Sequence, residues 1–484
     1  MKTAPAALGA ALLLLTSTAA AAFASNDGDD GGPPAVEDDF TRDILTTGLS
    51  DPFEVIYGPD DMLWITERTS GEVTRVDPET GETSLALTIP GVLATPGEQD
   101  GLLGMVLHPD LLEKKNRNQY VFLSYTYDGE GTPPENEAID RRQRIARYTW
   151  DAEDEVLDPD SEEVLIDGLY ASDDHNSGRM ILAPDGKLLY TIGDRGNLQD
   201  LNACKVNRAQ RLPTQDEVDD ENWIAYQGKS LRLNQDGTIP RDNPRIDGVR
   251  SHVFSYGHRN PQGLTLGPDD QVYSSEQGPK SDDELNLIVA GGNYGWPNVA
   301  GYQDDQAYIF GDWSAWEDCT PEQYNAFEIP DTVPQLQESE FYSPDFQPPL
   351  RTFYTVPTGH DFSGEACEPS GFFFICYPTV APSSLEFYDD DAIPGWENSF
   401  LMPTLKHGTL YRLPVFDDDG VRIDGPLPLF ETVNRYRDTA VSPDGRTIFV
   451  ATDSGGLARG TNGDATTELQ NPGAILTFTY TGTD

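Results

Sequence analysis

The stretch LAPDGKLLYTIGD, residues 182–194, decides how this chain folds. Its Pro-Asp-Gly makes a tight turn, because proline presets one φ and glycine accepts a positive one. Alternating apolar and polar side chains follow, the pattern of a half-buried strand. The phrase returns as YGPDDMLWITE at 57–67, LGPDDQVYSSEQG at 266–278 and VSPDGRTIFVATD at 441–453, with LHPDLLEKKNRNQYVFLSYTY from 107 as a longer variant. Helical periodicity is scarce, so an all-β fold is predicted. Turn-plus-strand units at irregular spacing read as the blades of a β-propeller. A pair of β-sandwiches explains them less well, since no composition break marks a linker between residues 57 and 441. Propellers gather their functional loops round one mouth, so candidate residues are drawn from the whole chain.

Charge narrows the function. Among 484 residues, 83 acidic against 32 basic side chains give a formal net charge of −51. Such a chain repels the phosphates of nucleic acid. It also repels itself unless counter-ions screen it, which reads as a protein of a salty medium. Residues 1–24 carry one positive region, a short apolar core and a small-residue end at Ala24, the form of a secretory signal peptide. Residues 25–39 read as a disordered acidic Gly/Pro tether, and 40–484 as one propeller domain. No later apolar run is long enough to span a bilayer, which predicts a periplasmic or secreted protein without membrane insertion. Export permits disulfides, and four cysteines allow three pairings. The short separation favours Cys367 with Cys376, leaving Cys204 with Cys319 as the second pair.

Several side chains carry candidate chemistry. His175 lies in a polar loop beside Asp173 and Asp174, with Asp194 ending the next strand. An imidazole oriented by a carboxylate abstracts a proton from an alcohol, while the plainer reading is a solvated loop histidine. Gln99, on a Gly-rich turn, suits a sugar hydroxyl or simply braces its turn. Asn260 precedes a proline that restricts its backbone, and its neighbour Arg259 serves a site or a surface ion pair. Gln277, Gly278 and Pro279 offer turn carbonyls beside Asp282, Asp283 and Glu284, a mixed oxygen set suited to Ca²⁺ or part of the general acidic excess. Lys406, Arg435 and Arg437 are scarce cations at strand entries. Alternation sets Arg435 and Arg437 on one face, as a clamp for a multiply charged anion or as two surface ion pairs.

The words GEQDGLLG, DDHNSGR, YTIGD, GHRNPQGL, SEQGPKSDDELNLIVAGGNYGWPNVAGY, ICYPTVAPSS, GWENSFLMPTLKHG and NRYRD, in this order, resemble the soluble pyrroloquinoline-quinone (PQQ)-dependent glucose and aldose sugar dehydrogenases. The likeness runs from about Leu49 to Tyr480. It implies a six-bladed propeller homodimer that oxidises an aldose to its lactone and passes the electrons to an external acceptor. His175 is then the general base, Asp194 its orienting carboxylate, and Gln99, Asp174 and Arg259 the sugar contacts. The resemblance assigns Asn260, Phe374, Tyr377, Thr379, Lys406, Arg435 and Arg437 to the quinone. Gly278 and Pro279 would give main-chain oxygens to a catalytic Ca²⁺. Glu284, Tyr294, Ala300, Tyr302, Asp304 and Glu338 map onto structural calcium sites near the dimer contact.

This chain also departs from the family pattern. Tyr377 stands for an expected tryptophan, Phe374 for a tyrosine and Asp100 for an asparagine, so quinone and sugar contacts are expected to differ locally. Residues 311–336 and the 195–206 loop diverge, and loops of the latter kind would rim the sugar pocket. Two rival functions are a calcium-dependent propeller lactonase and a non-catalytic extracellular binding propeller. The cations argue against the first and His175 in its full setting against the second.

Overall fold

The computed structural model describes residues 34–113, 118–131, 138–325, 328–362, 373–416 and 421–482. Six four-stranded antiparallel sheets, one of them with an extra short strand, form the six blades of a β-propeller. Their innermost strands are Pro52–Tyr57, Leu102–Leu107, Ser177–Leu182, Thr265–Leu266, Glu386–Tyr388 and Tyr436–Val441, which open blades 1 to 6. Residues on or beside all six line an axial channel of about 580 Å³.

The repeated turns sit where the sequence predicts. Each Pro-Asp phrase joins the inner strand of a blade to its second strand, in blades 1, 3, 4 and 6. The His108–Asp110 variant does so in blade 2, where Leu111 N donates to His108 O. Blade 5 uses a longer connection, between Glu386–Tyr388 and Ser399–Pro403, that lacks the phrase. The ring closes through the N-terminal strand Phe40–Thr46, which pairs with Ile475–Tyr480 and completes blade 6. Wedge-shaped cores fill the gaps between blades. One joins Val106 and Phe122 of blade 2 to Met180 and Tyr190 of blade 3. Another joins Tyr388 and Leu401 of blade 5 to Ile448 and Phe478 of blade 6. Burial of these apolar side chains holds neighbouring blades together.

Residues 34–39, assigned from sequence to the tether, are docked instead. Ala35 is buried, its N–H donates to Pro394 O and its carbonyl accepts from Trp396 Nε1. The signal-peptide segment 1–24 lies outside the described residues. Among those described, no helix is long and apolar enough to cross a membrane.

Cys204 and Cys319 are joined by a disulfide, so the pairing that sequence separation favoured less is present. It ties the two divergent loops, and Leu198, Trp313 and Val333 pack beneath it with Trp316, Tyr324 and Ile329 around them. Cys376 is also disulfide-bonded; Cys367, its expected partner, lies outside the described residues.

Candidate active site at the channel mouth

Antiparallel alternation explains why distant residues meet. Each inner strand runs from one mouth of the channel to the far end, turns, and the second strand returns. Residues just before an inner strand and just after a second strand therefore share that mouth. Gln99 and Asp100 precede the inner strand of blade 2, Asp174 and His175 that of blade 3, Arg259 and Asn260 that of blade 4, and Thr379 that of blade 5. Arg435 and Arg437 open that of blade 6. Asp194, Gln277, Gly278, Lys406 and Asp453 follow second strands.

One hydrogen-bonded network connects most of them. His175 Nδ1 lies 2.7 Å from Asp194 Oδ1. Asp194 also accepts from Trp296 Nε1 at 2.7 Å and from Asn207 Nδ2 at 2.8 Å. Burial alone would raise its pKa, but the His175 ring, Arg259 and the Trp296 hydrogen bond together hold it below the usual carboxylate range. Asp194 is therefore an anion that accepts the Nδ1 proton of His175, which leaves Nε2 as the ring nitrogen not engaged by Asp194. Asp174 Oδ2 stands 3.7 Å from that Nε2, and its other oxygen accepts from Gln99 Nε2. Gln99 Oε1 in turn accepts from Asn260 Nδ2 at 3.2 Å. His175 has a left-handed φ of +48°, a conformation uncommon in residues other than glycine and frequent at sites that need a fixed side-chain direction.

Arg259 is gripped from several sides. Its Nη1 donates to Gln277 O at 3.0 Å, its Nη2 to Gln199 Oε1, and its guanidinium lies 5.5 Å from the Trp296 ring centroid. Its carbonyl accepts from Asp194 N, and its own N–H donates to Glu276 Oε1. Arg259 Nε is a buried donor with no partner among the described residues. Glu276, the last residue of the second strand of blade 4, was missed from sequence. Its second oxygen is 2.9 Å from His258 Nδ1, and His258 Nε2 is 2.8 Å from Ser255 Oγ. That is the order of a hydrolase triad, yet all three residues are buried, so it serves as a brace.

The cations form the other half. Lys406 Nζ donates to Thr379 Oγ1 and to Tyr377 O at 3.3 Å, and lies 5.6 Å from the Tyr377 ring centroid. Burial pushes its ammonium down, against the pull of Asp283. Asp283 accepts from Gly278 N at 2.8 Å and from Val380 N and Ala381 N at 2.6 and 2.7 Å, so it pins the Gln-Gly-Pro turn to the Thr379 segment. Arg435 and Arg437 both contact Asp453. Arg437 reaches Gln262 Oε1 at 3.5 Å, and Gln262 Nε2 donates to Asn260 Oδ1 at 3.0 Å, which links the clamp to the His175 side. The Phe374 side chain lies outside the described residues.

Another expectation needs correction. Asp100 does not face the sugar side: it is fully buried, accepts from Thr95 N and Oγ1, and pairs with Arg141 Nε at 3.2 Å. It anchors the turn that presents Gln99.

Neither the Gly278 nor the Pro279 carbonyl accepts a backbone hydrogen bond among the described residues, and a side chain at Gly278 would meet Ser281 O at 2.1 Å. Two free carbonyls in a turn too tight for a Cβ fit a hard cation. For the structural sites, Glu284 accepts from Gly301 N and Glu338 from Ala300 N, while Asp304 accepts from Gln306 N. The Tyr294 hydroxyl donates to Leu287 O and that of Tyr302 to Leu350 O. Among the described residues no three acidic, His or Cys side chains form a metal-holding cluster, so an ion beside these residues would need main-chain oxygens as well.

A six-bladed propeller with an imidazole–carboxylate pair facing cations across one mouth defines the class. The sequence profile of the glucose/sorbosone dehydrogenases matches residues 49–325 and 357–459, and the chain belongs to that family. It is 40% identical over 450 residues to quinoprotein glucose dehydrogenase B of Acinetobacter calcoaceticus, covering 92% of each chain. It is 25% identical to the aldose sugar dehydrogenase YliI of Escherichia coli over 416 residues, 85% of this chain and 89% of the relative. The PQQ-bound aldose sugar dehydrogenase structure from Streptomyces coelicolor shares the fold, with a TM-score of 0.58 at 23% identity, covering 92% of this chain and 99% of the other.

Proposed function

We propose that this protein oxidises an aldose, glucose among them, at the anomeric carbon to the lactone with PQQ as oxidant. The observation that carries the reading is the His175–Asp194 pair set within the same network as Arg259 and the Arg435–Arg437 clamp. Lys406, Arg435, Arg437, Asn260 and Thr379 would hold the three carboxylates and the ring of the quinone. Gly278 and Pro279 would bind Ca²⁺ through their carbonyls.

When bound, the quinone would supply the hydride acceptor and Ca²⁺ at the Gly278 and Pro279 carbonyls the charge that polarises it. The chain's residues do the rest. Asp194 fixes the His175 tautomer, and Nε2 removes the proton from the anomeric hydroxyl. Gln99 and Asp174 orient the neighbouring hydroxyls. Arg259 Nε, unpaired among the described residues, would face negative charge as it develops. We further propose a secreted or periplasmic homodimer, with structural calcium at Glu284, Ala300 and Glu338, that delivers electrons to an external acceptor and keeps its acidic surface for high salt. The 40% identity to a quinoprotein glucose dehydrogenase supports the quinone and the sugar class.

The test is reconstitution: apo-protein in high salt receives PQQ and Ca²⁺, and dye reduction is followed with glucose and other aldoses. Sugar-dependent reduction is expected. A reconstituted protein that reduces no dye with any aldose refutes the reading.

A further inference from the structure

Asp453 is assigned to nothing in the chemistry above, yet it stands at the centre of the clamp. Its Oδ1 lies 2.8 Å from Arg437 Nε, and its Oδ2 lies 2.9 Å from both Arg437 Nη2 and Arg435 Nε. One carboxylate thus holds two guanidiniums side by side. Its main chain joins in, since Asp453 N donates to Arg435 O at 3.0 Å. Asp453 and Arg437 are almost fully buried, and Arg437 also lies over the Phe53 ring at 5.6 Å. Arg435 Nη1 is spent on Leu457 O at 2.6 Å, and its Nη2 takes no partner among the described residues.

Two guanidiniums this close repel each other, and without a common anion they would splay. Burial would raise Asp453, but Arg437 and Arg435 overcome this and hold it down at about 2, so the anion persists at every working pH. Asp453 also occupies in blade 6 the place that Asp194 occupies in blade 3, just beyond the second strand of a Pro-Asp-Gly phrase. Asp194 orients an imidazole from there.

We infer that Asp453 is the positioning residue of the quinone site: it presets the spacing and plane of Arg435 and Arg437 for a polycarboxylate ligand. The inference rests on the PQQ reading above. It runs against simple electrostatics, because a carboxylate lodged between two cations repels an incoming tricarboxylate. Preorganisation outweighs that repulsion when the alternative is two mobile, mutually repelling side chains.

The experiment uses that opposition of sign. Full-length apo-protein with Ca²⁺ is titrated with PQQ, and binding is read from tryptophan fluorescence, for wild type, Asp453→Asn and Asp453→Glu. The first variant removes the charge and keeps the shape; the second keeps the charge and moves it by a methylene. Both are expected to weaken quinone binding at least about tenfold. Tighter binding by Asp453→Asn with unchanged binding by Asp453→Glu means that only the field matters and overturns the inference. A second readout needs no quinone: in the apo-protein, the Nε–H groups of Arg435 and Arg437 should exchange with solvent faster in Asp453→Asn, while the His175 ring resonances, in a different blade, stay in place. Unchanged exchange overturns the inference, and displaced His175 resonances show that Asp453 merely holds the fold. Wild-type protein that fails to bind PQQ overturns the functional reading itself, a result distinct from a variant that behaves as wild type.

Discussion

Asp194 and Asp453 follow the second strands of blades 3 and 6, each closing a Pro-Asp-Gly phrase, and both are buried carboxylates held ionised by basic neighbours. Their partners differ. Asp194 meets one imidazole and leaves Nε2 open, which makes a base. Asp453 meets two guanidiniums, which makes a receptor for anions. The same blade position therefore serves chemistry or binding according to the residue that the neighbouring inner strand presents.

The largest effect should come from breaking the chemical half. His175→Ala is expected to lower kcat by about 10²- to 10⁴-fold while the quinone absorbance of the reconstituted protein persists; an active variant removes the base assignment. Breaking the binding half should read differently. Arg437→Ala leaves Asp453 short of its bidentate partner and should raise the quinone concentration for half-reconstitution about 10²-fold, with a smaller loss of turnover at saturation than His175→Ala shows.

The strap across the divergent loops comes next. Cys204 and Cys319 are 115 residues apart, so Cys204→Ser with Cys319→Ser should cost about 2–4 kcal/mol in denaturant unfolding. The smallest effect follows pH. Asp453 is lowered from 3.8 to about 2, so its contribution of about 2 kcal/mol is present above pH 4 and lost as pH falls through 2. Wild type should therefore lose that much more stability than Asp453→Asn between pH 5 and 2; parallel losses would show that the clamp contributes nothing to acid stability.

Much of the site was legible because its words are local. DDHNSGR carries both the imidazole and its flanking acids, and the Pro-Asp phrases announce four of the six blades. Glu276 and Asp453 were overlooked because in a chain with 83 acidic residues a single carboxylate carries no signal. Asp453 becomes visible once blade 6 is superposed on blade 3 as a repeat. Asp100 shows the converse: its word pointed to the sugar pocket, and the side chain turned inward to Arg141. A strand-end residue has two directions open to it, and a buried cation at the start of the third strand of the same blade decides between them.

The sequence by itself determined the all-β class, the repeating turns, the acidic surface and the identity of the scarce cations, since these depend on local φ preferences, alternation and composition. Tertiary structure alone decided that blade 6 closes with residues 40–46, that Cys204 bonds Cys319, and that Asp453 lies between Arg435 and Arg437. Those pairings join residues from 16 to several hundred positions apart. Ring closure sets their geometry, and no stretch of chain short enough to read as a word contains both partners and the surface that brings them together.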